Sequence, residues 1–109
     1  MPYSERLAKR VRGALEGRPE LTEKKMFGGV CFLIRGNMCC GVMGDELVAR
    51  VGQDGYEEAL ALQHVREMDF TGRPMRGMVM VAAPGIESEG DLTAWVGRVA
   101  DFAASLPAR

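Results

Sequence analysis

The sequence predicts a two-layer α+β domain, an antiparallel β-sheet with an N-terminal and a C-terminal helix packed on one face. Three observations lead there. Apolar residues recur at helical spacing at both ends of the chain, they alternate through its middle, and the alternating segments are joined by turns too short for parallel crossovers. Two helices that each carry one apolar stripe must bury those stripes against the same side of such a sheet. With 109 residues, the span 1–109 makes one domain, with a modest core and no room for a large internal cavity.

Over residues 3–16, Tyr3, Leu7, Val11 and Leu15 stand four apart, flanked by Ala8 and Ala14, which is the stripe of an amphipathic helix. Gly17, Arg18 and Pro19 end it. Its other side carries Arg6, Lys9, Arg10 and Arg12, relieved only by Glu5 and Glu16.

From residue 26 to 51 the period changes to alternation in three short segments, a β-meander. The glycine pair of Met26-Phe27-Gly28-Gly29 permits a bend or bulge leading into it. Val30, Phe32 and Ile34 share one face, and Arg35-Gly36-Asn37 forms a turn in which Gly and Asn tolerate positive φ. Met38, Cys40 and Val42 line one face of the returning strand. Gly44-Asp45 turns again, after which Leu47, Ala49 and Val51 face inward while Glu46 and Arg50 face water. The result is a sheet with one covered side.

Gly52 to Gly55 interrupt the sheet, and Tyr56, Ala59, Leu60 and Leu62 fit a short helix with Glu57 and Glu58 outward. Residues 64–77 read as an exposed connection, with Arg66, Arg73 and Arg76 around Gly72, Pro74 and Gly77 and a short edge strand at Met68 to Phe70. Met78 to Ala82 is an apolar strand stopped by Pro84-Gly85. Ser88 caps a last helix whose first turn holds Glu89 and Asp91, where negative charge suits the helix dipole. Leu92, Trp95, Val96, Val99, Phe102, Ala103 and Leu106 form its stripe, and Pro107 closes it. The sequence shows no internal repeat, low-complexity stretch or linker.

The formal charge of −1 removes the blanket positive field of a general nucleic-acid coat. It conceals a division. The first 25 residues hold seven basic against four acidic side chains, a local +3, whereas residues 45–58 hold five acidic against one basic, a local −4. No apolar run approaches the roughly 20 residues of a membrane span, and the N-terminus lacks the pattern of a secretory signal. Cys31, Cys39 and Cys40 are an odd, clustered set, unlike a disulfide framework, so a reducing, cytoplasmic compartment is expected. The eight methionines read first as core filler and second as an adaptable contact surface.

Candidate chemistry is sparse. Neighbouring residues of a strand point to opposite faces, so Cys39 and Cys40 are not expected to chelate one ion together, and no C-x-x-C spacing is present. A nucleophilic cysteine needs a base, yet the one histidine, His64, stands in another element, just past the short helix, where a surface or capping role suits it. Buried, apolar-behaving thiols are the simpler expectation. Gly28-Gly29 belongs to no G-x-G-x-x-G and no Walker motif, so no phosphate cradle is indicated. Asp45, Glu46, Glu57 and Glu58 fall on turns and helix faces where carboxylates stay solvated. The expectation is no catalytic residue, no cofactor and no metal.

Several segments taken together carry a resemblance. Lys25-Met26-Phe27-Gly28-Gly29 before a strand, the hairpin through Gly36 into Met38, the Leu47 strand, Arg73-Pro74-Met75-Arg76-Gly77 before an apolar strand, Pro84, and Leu92 with Trp95-Val96 followed by Leu106-Pro107 resemble the TfoX N-terminal domain over nearly the whole chain. The resemblance implies a small antiparallel α+β domain, similar to secretion-chaperone-like folds, found in TfoX/Sxy regulators of bacterial natural competence. Those regulators are thought to act with transcription machinery rather than as enzymes. Met26, Phe27, Gly28, Gly29 and Trp95 match as fold signatures, and no catalytic residue comes with them. Longer members carry a second, C-terminal domain similar to helical nucleic-acid-binding modules. This chain ends at Arg109, so a stand-alone N-terminal module is expected.

The leading functional expectation is therefore a non-enzymatic cytoplasmic regulatory domain that binds a protein, such as transcription machinery, and forms a homodimer, with no membrane role. Its candidate interaction surface is Arg6, Lys9, Arg10 and Arg12. Two alternatives stand beside it: direct nucleic-acid binding through the same helix, and a small thiol-based sensor or enzyme using Cys31, Cys39 and Cys40.

Overall fold

The computed structural model describes residues 3–26, 28–68 and 76–108. Helix α1 spans Glu5–Leu15, with Ser4 as its cap: the Leu7 amide donates to Ser4 Oγ at 3.1 Å. Leu7, Ala8, Val11 and Leu15 are its buried face. Tyr3 lies before the helix rather than on it, in a parallel bridge to Gly44, and the neighbouring Ser4 amide donates to the Gly44 carbonyl at 2.7 Å.

Six strands follow in one antiparallel sheet: β1 (Leu21–Met26), β2 (Gly29–Ile34), β3 (Asn37–Met43), β4 (Glu46–Arg50), β5 (Val65–Glu67) and β6 (Met78–Val81). They stand side by side as β1-β2-β3-β4-β6-β5. Strand β1 has no counterpart in the sequence reading. Its interior is Thr22-Glu23-Lys24-Lys25, exposed on both faces, because an edge strand lying beyond the helices needs no apolar alternation and Lys on it deters pairing with another chain. Pairing of Met26 with Gly29 makes β1 and β2 a tight hairpin with Gly28 at φ +77°, so this glycine serves a hairpin and not a bulge. Gly29 is needed for another reason: a Cβ there would collide with the Val42 carbonyl oxygen of β3.

The β2–β3 loop is Arg35-Gly36, both at positive φ, the backbone of a type I′ turn. Asn37, read from sequence as part of that turn, is instead the buried first residue of β3, and its Nδ2 donates to the Pro107 carbonyl at 2.9 Å. A register shift then interrupts β2 and β3, with Phe32 opposite Cys40 but Leu33 opposite Met38. Cys39 is the extra residue, and the bulge overturns two expectations from simple alternation. Cys39 and Cys40 both point into the helix-covered core, and Met38 lies on the other face from Cys40 and Val42.

Between β4 and β5 comes α2 (Gln53–Leu60), which buries Tyr56 and Ala59. Leu62 falls past its end and is 45% exposed, contrary to its expected place on the helical stripe. The edge strand is β5, a few residues before the expected Met68 to Phe70. Asp69 and Phe70 lie outside the described residues, and Met68 is buried beyond the strand. A 3-10 turn, Ala83–Ile86, leads from β6 to α3 (Glu89–Ala104), where the Asp91 amide donates to the capping Ser88 Oγ at 3.1 Å.

Helix α3 lies across β3 and β4 and alongside α1. Leu92, Val96, Val99, Ala100 and Ala103 complete one core with α1, α2 and the near face of the sheet, so the helices share one side as expected. Trp95 and Phe102 flank this stripe, half-buried. Where β4 and β6 pair, the far face is buried as well: Val48, Met68, Met78 and Met80 pack together with Met38 and Met43 at the margin.

Candidate functional site

The fold sorts the four cations of α1 into two kinds. Arg10 turns toward the start of α3: its Nε lies 3.0 Å from Glu89 Oε1, and its Nη2 donates to the carbonyls of Ile86 at 3.0 Å and Glu87 at 2.9 Å. It satisfies carbonyls left open at the C-terminal end of the 3-10 turn. Arg12 grips Glu23 of β1 through two bonds of 2.9 and 2.8 Å, which hold the Glu23 carboxyl below its ordinary pKa and raise that of Arg12. Arg6 and Lys9 are exposed and enter none of the ion pairs among the described residues. The basic face thus reduces to Arg6 and Lys9, with Arg10 and Arg12 acting as ties between elements.

A second surface feature draws residues from three parts of the chain. Leu62 and His64 follow α2, Pro84 and Gly85 belong to the 3-10 turn, and Asp91, Trp95 and Arg98 are on α3; they line an open cleft of about 520 Å³. Arg98 stands over the Trp95 ring, 5.5 Å from its centroid, and its Nη2 lies 3.4 Å from the Gly55 carbonyl and 3.5 Å from Glu58 Oε1. His64 is held at φ +68° while its carbonyl accepts from the Ala82 amide at 2.8 Å. Sequence reasoning placed Trp95 on the apolar stripe and His64 on the surface. Their meeting depends on the β5–β6 pairing, for which the sequence offers no local signal.

The three thiols are unequal. Cys31 is half-buried on β2 and points to the far face, and burial pushes its thiol pKa up. Cys39 and Cys40 are fully buried with their Sγ atoms 3.9 Å apart. Among the described residues no group of three His, Cys, Asp or Glu side chains converges as a metal-ligand set.

The model of the TfoX N-terminal domain matches residues 13–103. The chain belongs to the TfoX N-terminal domain family. No curated protein and no solved structure matches it. The TfoX N-terminal match starts inside α1, so Arg6, Lys9, Arg10 and Arg12 precede it, while both cysteine-bearing strands and the Trp95 cleft fall within it. Its signature glycines have structural duties, Gly28 at positive φ and Gly29 against Val42. Met26 is 39% exposed at the end of β1. Phe27 and the Arg73-Pro74-Met75 part of the second motif lie outside the described residues. That motif's last residue, Gly77, sits at φ +89°, and its carbonyl accepts from the amides of Val51 and Gly52, which joins the end of β4 to the start of β6.

Proposed function

We propose that this TfoX N-terminal domain is a non-enzymatic regulatory module of the cytoplasm that acts by binding a protein of the transcription machinery. The observation that carries the reading is family membership over residues 13–103, since this domain is the one found in competence regulators. Arg6 and Lys9 on the outer face of α1 are the contact residues, and they suit a partner surface that offers carboxylates. Among the described residues no helix is long and apolar enough to cross a membrane.

The size of the free basic face favours a protein over nucleic acid. Two outward cations give a salt dependence with log-log slope of about −1.8, whereas four would give about −3.6. The test is titration of the purified chain against bacterial RNA polymerase holoenzyme and against duplex DNA across a salt series, with the solution mass measured by sedimentation. Saturable binding to polymerase, lost at least tenfold in Arg6→Glu/Lys9→Glu with an unchanged Tm, is the expected result. Absence of polymerase binding, or DNA binding with the steeper slope, overturns the reading.

A further inference from the structure

We propose that Cys39 and Cys40 form a redox-active dithiol, which hydrogen peroxide converts into a disulfide between these two neighbouring residues of β3. The bulge makes this arrangement. In an unbroken strand the two side chains would stand on opposite faces of the sheet. The register shift at Phe32/Leu33 turns both into the helix-covered core and leaves their sulfurs 3.9 Å apart. A disulfide needs a separation of about 2.05 Å, so the sulfurs must close by roughly 2 Å through side-chain rotation together with a backbone adjustment at the bulge. The backbone already places the pair side by side, and peroxide reaches these fully buried sulfurs when the helices covering the core open locally.

The two thiols are differentiated. The charge of the Arg18 guanidinium, which is anchored to Asp101 of α3 at 2.9 Å, acts on Cys39. Hydrogen-bond contact with Cys40 and the charge of Arg18 lower the Cys39 pKa against the opposing effect of burial, while the contact with Cys39, burial and the neighbouring thiols raise that of Cys40. In the proposed sequence Cys39 supplies the attacking sulfur and Cys40 the resolving one. The Cys39 sulfur attacks one peroxide oxygen and the O–O bond breaks, giving Cys39 sulfenic acid and, after protonation, water. The Cys40 sulfur then attacks the Cys39 sulfur, an S–S bond replaces the S–O bond, and the leaving hydroxide departs as water with the Cys40 proton. The two thiols are oxidised by two electrons in total and the peroxide is reduced by two. Adjacent Cα atoms stand about 3.8 Å apart, below the usual 4.4–6.8 Å of a disulfide. The product is thus a strained bond that a thiol reductant readily reopens.

Cys31 serves as an internal control, since it lies on the other face of the sheet. The folded full-length chain is treated with hydrogen peroxide, denatured, alkylated with iodoacetamide and weighed intact. The expected product is lighter by about 2 Da before alkylation, as two hydrogen atoms are lost in forming the bond. It takes up a single alkyl group, at Cys31, and dithiothreitol restores uptake at Cys39 and Cys40. Cys31→Ala should retain the mass loss, and Cys40→Ala should stop at a Cys39 sulfenic acid that dimedone traps. Retention of all three alkylatable thiols after peroxide, or an oxidation product that disappears in Cys31→Ala, overturns the proposal. Because Cys31→Ala leaves the core pair untouched, the test holds even if Cys40→Ala fails to fold.

Discussion

Asn37 shows how a single side chain changes meaning once its surroundings are known. By type it suits a turn, yet it is buried at the start of β3, where its amide holds the Pro107 carbonyl and so fastens the C-terminal tail to the sheet. Asn37→Ala is expected to cost about 1 kcal/mol through loss of this bond. Urea denaturation should show a lower midpoint at unchanged m-value; an unchanged midpoint would mean that the contact contributes nothing. Arg10 and Arg12 teach the same lesson. Their charge was evident in the sequence, but not their partners: Glu89 lies 79 positions from Arg10, so whether a cation is a surface group or a tie depends on what folding brings to it.

At the scale of elements, each glycine acts through the strand or helix that holds it. Gly29 begins β2 against the Val42 carbonyl and the Met43 side chain, and Gly29→Ala should destabilise by about 1–3 kcal/mol, since the obstructing atom is backbone and cannot yield as a side chain would. Gly13 on α1 has nothing within 4 Å of a Cβ, and Gly13→Ala should stabilise by about 0.5–1 kcal/mol through helix propensity. Thermal unfolding of the two variants checks both signs, and equal shifts would refute the distinction. The elements legible in the sequence were those that burial marks most strongly: α1 and α3, whose period follows one buried face, and β4 and β6, whose apolar residues are buried on both faces. Strand β1 was not legible, because Glu23, Lys24 and Lys25 carry no burial signal on an exposed edge. The bulge at Cys39 was hidden for a different reason: alternation counts residues along one strand, while a bulge exists only relative to the partner strand.

For the whole molecule, α1, α2, α3 and the near face of the sheet contribute to one contiguous core. Such a core unfolds as a unit. Urea transitions followed by the fluorescence of Trp95, the one tryptophan, and by far-ultraviolet circular dichroism should therefore coincide in midpoint and slope; an earlier Trp95 transition would show that α3 detaches on its own. The sequence by itself determined the α+β class, the capping serine Ser88, the apolar stripes and most of the turns. Each of these depends on interactions between residues a few positions apart, and helical and strand periods register them directly. Only the tertiary structure decided which of the four α1 cations remain free, that Trp95 and His64 share a cleft, and that Cys39 meets Cys40 in the core. Those outcomes depend on cross-strand register and on contacts between distant segments, which no local pattern encodes.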